Sequence, residues 1–528
     1  MPTLDWIGKK AVLNHHREVP YHLLRCDRSL SAGEPDSENL LVQGDNLIAL
    51  KALLPYYAGK VKCIYIDPPY NTGNENWVYN DAVNSPEIRT WLGKVVGAEA
   101  EDLSRHDKWL CMMYPRLALL RDFLAEDGAI FVSIDDVEVG HLRLLMDGIF
   151  GPRNLVGNFV WQSKDTPGNN STGVAETHNH VLAYRCSESF KPNLLVRNEK
   201  QLATYSNLDN DSRGPWLAAP LTRAEHRDRD YYPIKNKMGR EVRPPKGSSW
   251  RRPPDTMKKL SAEDRIWWGK HGDSTFPMEK KFLSEAKEGV VNQTWWPYQF
   301  AGSTRQASAE LKSIFGGEKL FDTPKPLQLL RVILMMAADQ ESLVLDSFAG
   351  SGTTGHAVLD LNKIDGGRRK FILVEMDEKI CQDVTAKRLT RVIQGHKDQE
   401  PLGGGFRYCK LGEALFDENG GIQKAVSFSD LASHVFFVES GAPIPKRAVT
   451  KSPLLGTHNG AAVYLLYNGI LGDKAPRGGN VLTREVLAEL PPHDGPKVVY
   501  GTGCLLSPQR LKREDVTFRQ IPYEVKVN

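Results

Sequence analysis

The sequence predicts an α/β chain built on a mostly parallel, doubly wound sheet, with an insert and a smaller α/β region after it. Three observations predict this. Short strands of buried type alternate with helices from residue 39 onward. The rhythm breaks between 162 and 318, where Gly, Pro, Trp and charge rise, and returns near 320. Gly403-Gly404-Gly405 then marks a boundary before the last segment.

Residues 1–38 are polar and mixed, with Pro20, Gly33 and Pro35 as breakers, and read as an N-terminal extension. Leu40-Leu41-Val42 reads as a short strand and Asn46 to Leu54 as a helix. Val61 to Ile66 is a buried strand that runs into Asp67-Pro68-Pro69-Tyr70. Arg116 to Ala125 reads as a helix with Pro115 in its first turn, Asp127-Gly128 as a turn, and Ala129 to Ile134 as a strand. Residues 39–161 therefore form one half of a sheet domain. Most of the tryptophans cluster at or inside the insert, 162–318: seven of eleven lie between 161 and 296, at 161, 216, 250, 267, 268, 295 and 296. Between 221 and 260 stand 12 Lys plus Arg against 5 Asp plus Glu, which exceeds the whole chain's net +3. The second half of the sheet domain, 319–412, holds a strand at Leu343-Val344-Leu345, a helix from Thr353 to Asn362 and a strand from Lys370 to Val374. Residues 413–528 read as a small α/β docking module without a catalytic motif. Its strands are expected at Val435 to Val438, Ala462 to Leu466, Val498 to Tyr500 and Val516 to Val525, with a helix near 483–490.

Composition narrows the classes. With 528 residues and 41% apolar content the chain fills several cores. Near-neutral charge excludes a basic tail, so any nucleic-acid surface comes from local clustering. No run of 18 apolar residues and no apolar leader core is present, so a cytoplasmic protein without a membrane span is expected. Seven scattered cysteines, none in a CxxC, argue against a disulfide framework and against a zinc knuckle. His178-Asn179-His180 offers two imidazoles on one strand face but no evident third ligand, so a structural or DNA-contact role is expected and no metal.

Two segments carry chemistry. Asp67-Pro68-Pro69-Tyr70 follows a buried strand, and an exocyclic base amine needs such a place. Its lone pair is delocalised into the ring. A carboxylate and a backbone carbonyl that accept its hydrogens make the nitrogen reactive, and an aromatic face receives the extruded base. Two prolines stiffen the turn and remove competing N–H donors. The alternative is a strand exit in which Pro-Pro merely ends pairing. The second segment, Asp346 to Gly355, follows a strand and opens a helix. Gly350 and Gly352 allow a tight turn and close ligand approach, and Glu375, at the end of the next strand, suits a ribose diol. The same glycines fit GxGxxG, so a nicotinamide or flavin site is a rival. A P-loop is excluded because His356, not Lys, follows Gly355.

Together the segments resemble the amino-methyltransferases of DNA in the permuted, β-class order, with Asp-Pro-Pro-Tyr 279 positions ahead of the glycine-rich turn. The chain is similar to the Mod (modification) subunits of type III restriction systems across most of 5–410. The similarity runs through GDNLIALKAL at 44–53, IDPPYNTGN at 66–74, MYPRL at 113–117 and DGAIFVSIDDVE at 127–138. It continues through LMDGIFG at 145–151, PKPLQLL at 324–330, FAGSGTTGHAV at 348–358 and GGGFRYCKLG at 403–412. The resemblance implies a Rossmann-like, S-adenosylmethionine-dependent methyltransferase sandwich, circularly permuted, with 162–318 as an inserted target-recognition domain. It implies catalysis by Asp67, Pro68, Pro69 and Tyr70. It implies cofactor contacts from Asp45, Asn46, Lys325, Pro326, Asp346, Phe348, Gly350, Gly352, Thr353 and Glu375, and a base contact from Trp161. For Asp45 a helix N-cap, for Lys325 a helix-start cation and for Trp161 core packing remain alternatives.

The implied reaction is direct transfer to adenine N6 in duplex DNA, with cytosine N4 as the alternative. No Pro-Cys dipeptide is present for ring-carbon methylation. Arg223, Arg227, Arg240 and Arg251, with Arg229, Arg243 and Arg252, are candidate phosphate contacts, and a solvated charged loop is the alternative. A homodimer and a restriction (helicase-nuclease) subunit are the partners the resemblance suggests. A chain that only recognises DNA and delivers a nuclease is the non-enzymatic rival, and an RNA or protein methyltransferase is the rival enzyme.

Overall fold

Strand pairing joins the alternating apolar runs into one ten-stranded sheet. The computed structural model describes residues 4–35, 37–72, 101–167, 173–397, 399–417, 422–423, 426–445, 452–468, 475 and 478–521. In chain order the strands are β1 (His22–Gly33), β2 (Leu40–Gln43), β3 (Val61–Ile66), β4 (Leu124–Ile134) and β5 (Leu155–Trp161). They continue with β6 (Asn179–Arg185), β7 (Trp295–Trp296), β8 (Leu343–Asp346), β9 (Lys370–Glu375) and β10 (Gly405–Ala414). Across the sheet the order is β1-β10-β2-β9-β8-β3-β4-β6-β5-β7. The run from β10 to β4 is parallel throughout, and β6 lies antiparallel between β4 and β5.

Both faces of the parallel strands are covered, which is why they read as continuous apolar runs. Alternate residues serve opposite faces. Ile64 and Ile66 of β3 join the core made by helices α1 (Asn46–Tyr57), α2 (Glu101–Phe123) and α3 (Val139–Phe150). Cys63 and Tyr65 join the core on the other side, made by α4 (Leu327–Ala337), α5 (Thr353–Asp365) and α6 (Lys387–Gln394). The result is a three-layer α/β/α sandwich. A four-stranded sheet of Leu454–His458, Ala461–Leu465, Lys497–Gly501 and Val516–Gln520 follows, with helix α7 (Phe428–Ser440) in its core.

Several expectations are corrected. The N-terminal extension supplies a strand to the sheet: His22–Gly33 is an edge strand antiparallel to β10, and Cys26 is disulfide-bonded to Cys409 across that pair. The cysteines are thus not all unpaired. Pro115 lies inside α2 rather than in a first turn. Buried Trp109, Met113, Leu117 and Leu120 on both sides outweigh the hydrogen bond it removes. Asp127-Gly128 falls within β4 as a register irregularity, not a free turn. Val435 to Val438 is helical, because Ser427 and Asp430 form a capping box and Leu431 and Val435 recur on one buried face. Of the last expected strand, 516–520 is formed, and 522–525 lie outside the described residues.

The insert is also shorter than 162–318. The second compact unit is Leu194–Asn292, because β6 and β7 pair within the main sheet and draw 162–193 and 293–318 into the first unit. The second unit has its own core of Leu221, Val242, Trp250, Met257, Ile266 and Trp268. Trp296 belongs to the main core, stacked on Phe159 at 4.4 Å, while Trp295 is exposed.

Arg116 ties the layers together at the carboxyl edge of the sheet. Its fully buried guanidinium reaches Asn46 Oδ1, the Met112 carbonyl at 2.9 Å and Asp45 Oδ2 at 3.3 Å. Arg116→Ala is expected to destabilise the first unit by about 3 kcal/mol, from lost packing and unpaired groups. Urea unfolding followed by tryptophan fluorescence checks this, and an unchanged midpoint would contradict it.

Candidate active site

Strands β3 and β8 lie side by side in parallel, with Cys63 opposite Val344 and Ile64 opposite Leu345. Their carboxyl ends therefore leave the sheet as neighbours, at the point where the strand order reverses direction. Asp67 follows the end of β3, and Phe348 follows the end of β8 two residues on. Between the two loops lies a cleft of about 830 Å³. Asp67, Pro68, Pro69 and Tyr70 line one side, Phe348, Gly350, Ser351 and Thr353 the other, and Glu375, Trp161 and Lys325 complete it.

The glycine-rich turn is shaped by its own hydrogen bonds. Asp346 accepts from the Phe348 N–H at 3.0 Å and the Thr354 hydroxyl at 2.5 Å. Gly350 and Gly352 have φ of 49° and 76°. A Cβ on Gly352 would stand 3.0 Å from Thr385 Cγ2, so both conformation and space favour glycine there. Glu375 accepts from the Gly350 N–H at 2.8 Å and the Asp377 N–H at 2.9 Å. Burial pushes the Asp346 and Glu375 carboxyls each up to about 7.

The other loop is held from behind. Trp109 Nε1 donates to the Pro69 carbonyl at 2.7 Å. Asn71 adopts φ 59° and donates to buried Glu138. Burial, with the Asp67 carboxylate next, raises the Tyr70 hydroxyl well above its ordinary pKa. Lys325 Nζ pairs with Asp67 Oδ2 and stands 5.0 Å from the centre of the Tyr70 ring. The Lys325 carbonyl accepts from the Thr353 hydroxyl at 3.1 Å, so one residue touches both loops.

Not every residue expected at the site lines the cleft. Asp45 caps α1, accepting from the N–H groups of Leu47 and Ile48 at 2.9 and 3.1 Å. Asn46 donates to the Ser347 carbonyl at 3.0 Å and so braces the turn from beneath. Pro326 starts α4 and lines a second, smaller cleft with Gln306 and Arg331. Gly352 sits behind the turn against Thr385. Trp161 is fully buried, lines the cleft and donates to the Gly302 carbonyl at 2.8 Å.

The candidate DNA-binding arginines all lie in the second unit. Arg227 pairs with Glu225 at 2.9 Å, and Arg229 and Arg252 pair with Asp230 and Glu279. Arg223 donates to the Arg251 carbonyl, and Arg251 to the Thr222 carbonyl. Arg240 and Arg243 are exposed.

Sequence reasoning missed Arg388. It is fully buried on α6 and donates to the Thr353 hydroxyl at 2.7 Å and the Ser351 hydroxyl at 3.2 Å. Nothing in its local sequence announces this, because the contact is made across 35 residues. The Asn71–Glu138 bond was missed too, although both residues fall inside segments that carry the family resemblance.

Comparison with known proteins agrees with this geometry. The sequence profile of a family described as DNA methylase matches residues 61–387. The chain is 33% identical over 402 residues to the Mod subunit of the type III restriction-modification enzyme StyLTI of Salmonella typhimurium, covering 73% of this chain and 60% of that protein. It is 31% identical over 470 residues to the EcoP15I Mod subunit of Escherichia coli, covering 78% and 71%. It is 30% identical over 416 residues to the type II methyltransferase M.KpnI of Klebsiella pneumoniae, covering 73% and 93%. The chain thus spans only 60% of the StyLTI subunit's length. With the family profile covering both loops of the cleft, the chain belongs to the DNA methylases.

Proposed function

We propose that the chain transfers a methyl group from S-adenosylmethionine to N6 of adenine flipped out of duplex DNA, as the modification enzyme of a restriction-modification system. One observation carries the reading: the Asp67–Tyr70 loop and the Phe348–Thr353 turn open on the same cleft. The residues fit the cofactor. Glu375 and Asp377 supply acceptors for ribose hydroxyls, Phe348 supplies an apolar wall, and glycine at 350 keeps the backbone approachable. When bound, S-adenosylmethionine supplies an electrophilic methyl carbon on a sulfonium.

The chain's own residues do the rest. Asp67 accepts hydrogens of the target amine, localising the nitrogen lone pair and stabilising the positive charge that develops on it. Tyr70, its hydroxyl kept protonated, offers a stacking face. Lys325 neutralises Asp67 in the free chain and withdraws before an amine enters. The proton leaves to solvent. The second unit contributes target recognition, with Arg223, Arg227, Arg240 and Arg251 among its phosphate contacts. The type III relatives suggest a restriction subunit as partner and the cytoplasm as the place of action, and a homodimer belongs to the same reading. Among the described residues, no helix is long and apolar enough to cross a membrane.

Modification-sensitive long-read sequencing of DNA from cells expressing the chain tests the proposal. N6-methyladenine at one short motif is expected. N4-methylcytosine, or unmodified DNA, would refute the assignment. Asp67→Ala is expected to lower methyl transfer by at least about 10³-fold while cofactor affinity stays within a few-fold, as read by tritiated-methyl incorporation and calorimetry. Glu375 carries a proton below about pH 7 in the free chain. Ribose hydroxyls favour its ionised form, so cofactor binding releases a proton and affinity rises with pH up to about 7, then levels off. Titration calorimetry in buffers of different ionisation enthalpy checks this, and Glu375→Gln should flatten the dependence.

A further inference from the structure

His178 and His180, two apart at the start of β6, acquire in the fold the third ligand that their sequence neighbourhood lacks. Antiparallel pairing sets His180 opposite Ile134, so the chain leaving β4 runs back past the two imidazoles. Asp136, on that segment, directs its carboxylate between them. His180 Nε2 lies 2.7 Å from Asp136 Oδ1, and His178 Nε2 lies 3.6 Å from Asp136 Oδ2. The two rings meet edge to face, with centres 5.2 Å apart. On its other side, His180 Nδ1 is 3.1 Å from Asn158 Oδ1 on β5. An Nδ1–H donated to that oxygen would leave Nε2 free to bind an ion in place of the proton it shares with Asp136, which is how outer-shell acceptors orient metal-binding histidines.

We propose that Asp136, His178 and His180 form a binding site for a divalent cation of the zinc class, with a fourth position open to water. Two imidazoles and one carboxylate suit zinc, cobalt or nickel rather than magnesium or calcium. Tetrahedral ligands at about 2.0 Å from zinc stand roughly 3.3 Å apart, and the two histidine–Asp136 spacings, 2.7 and 3.6 Å, bracket that value. Asp136 and His178 are partly exposed, which leaves a path for the ion.

Two other clusters of ligand type among the described residues are already satisfied. Glu138, between His106 and His141, also accepts from Asn71, so its oxygens are committed to holding the catalytic loop. Asp209, Asp211 and Asp264 surround Lys280, which supplies the cation there. At His178 and His180 no lysine or arginine among the described residues plays that part. A bound ion would staple the segment after β4 to the start of β6. Asn179 of β6 lines the active cleft and pairs in register with Trp161, so the ion would stiffen that wall of the cleft.

The test uses the full chain, stripped with chelator and titrated with zinc against a chromophoric competitor. One equivalent is expected to bind tightly, and cobalt in its place should give the strong visible bands of a tetrahedral site. His178→Ala with His180→Ala should abolish that equivalent. Asn158→Leu should weaken it about 10–100-fold. His178→Ala alone, at a partly exposed position, keeps the test readable if the double variant fails to fold. A wild-type chain that binds no zinc, or variants that bind as the wild type does, would overturn the proposal.

Discussion

The parallel pairing of β8 on β3 is the constraint on which the rest of the structure depends. Both strands are buried on both faces, so their register is fixed by packing: Val344 with Cys63 on one side, Leu345 with Ile64 on the other. Once that register is set, the loops leaving their carboxyl ends are neighbours whatever the chain does between them. Separation in sequence, including the unit at Leu194–Asn292, costs the site nothing in geometry. This is also why a permuted order of the two halves is tolerated: the sheet fixes adjacency, and chain order does not.

Around that junction the molecule concentrates charge in a poorly solvated space. Asp346 and Glu375 are buried and hold protons to near neutrality. Arg388 is buried beneath the glycine-rich turn, where hydroxyls of Ser351 and Thr353 accept from it and offset the loss of water. Lys325 compensates Asp67 on the cleft side. These groups hold two short loops in place before any ligand arrives, and preorganisation of this kind is where electrostatic catalysis finds its energy.

Much of this was legible in the sequence, for local reasons. Asp67-Pro68-Pro69-Tyr70 and the Phe348–Thr353 turn are each contiguous, so each could be picked out as a unit, and both line the cleft. Glu375 could be found because a strand end at a known interval places it. What escaped depends on contacts across the chain. Arg388 and Glu138 look like ordinary charged helix-end residues until the fold brings Thr353 and Asn71 to them. Asp45 has two local readings, and the structure shows it capping α1. The apolar run at 435–438 suits a strand in isolation, but the cap at Ser427 and burial at spacing four decide for helix. The second compact unit is narrower than the insert read from the sequence, because β6 and β7 join a sheet whose other strands lie far away in sequence.

A crystal structure of the chain with a non-reactive sulfonium analogue and a duplex containing its target would test the central claim most directly. The account predicts the analogue along the Phe348–Thr353 turn, and the target amine between Asp67 and Tyr70, with the transferable carbon about 3–3.5 Å from the nitrogen. An analogue bound away from that turn, or an extruded base in a different cavity, would contradict it.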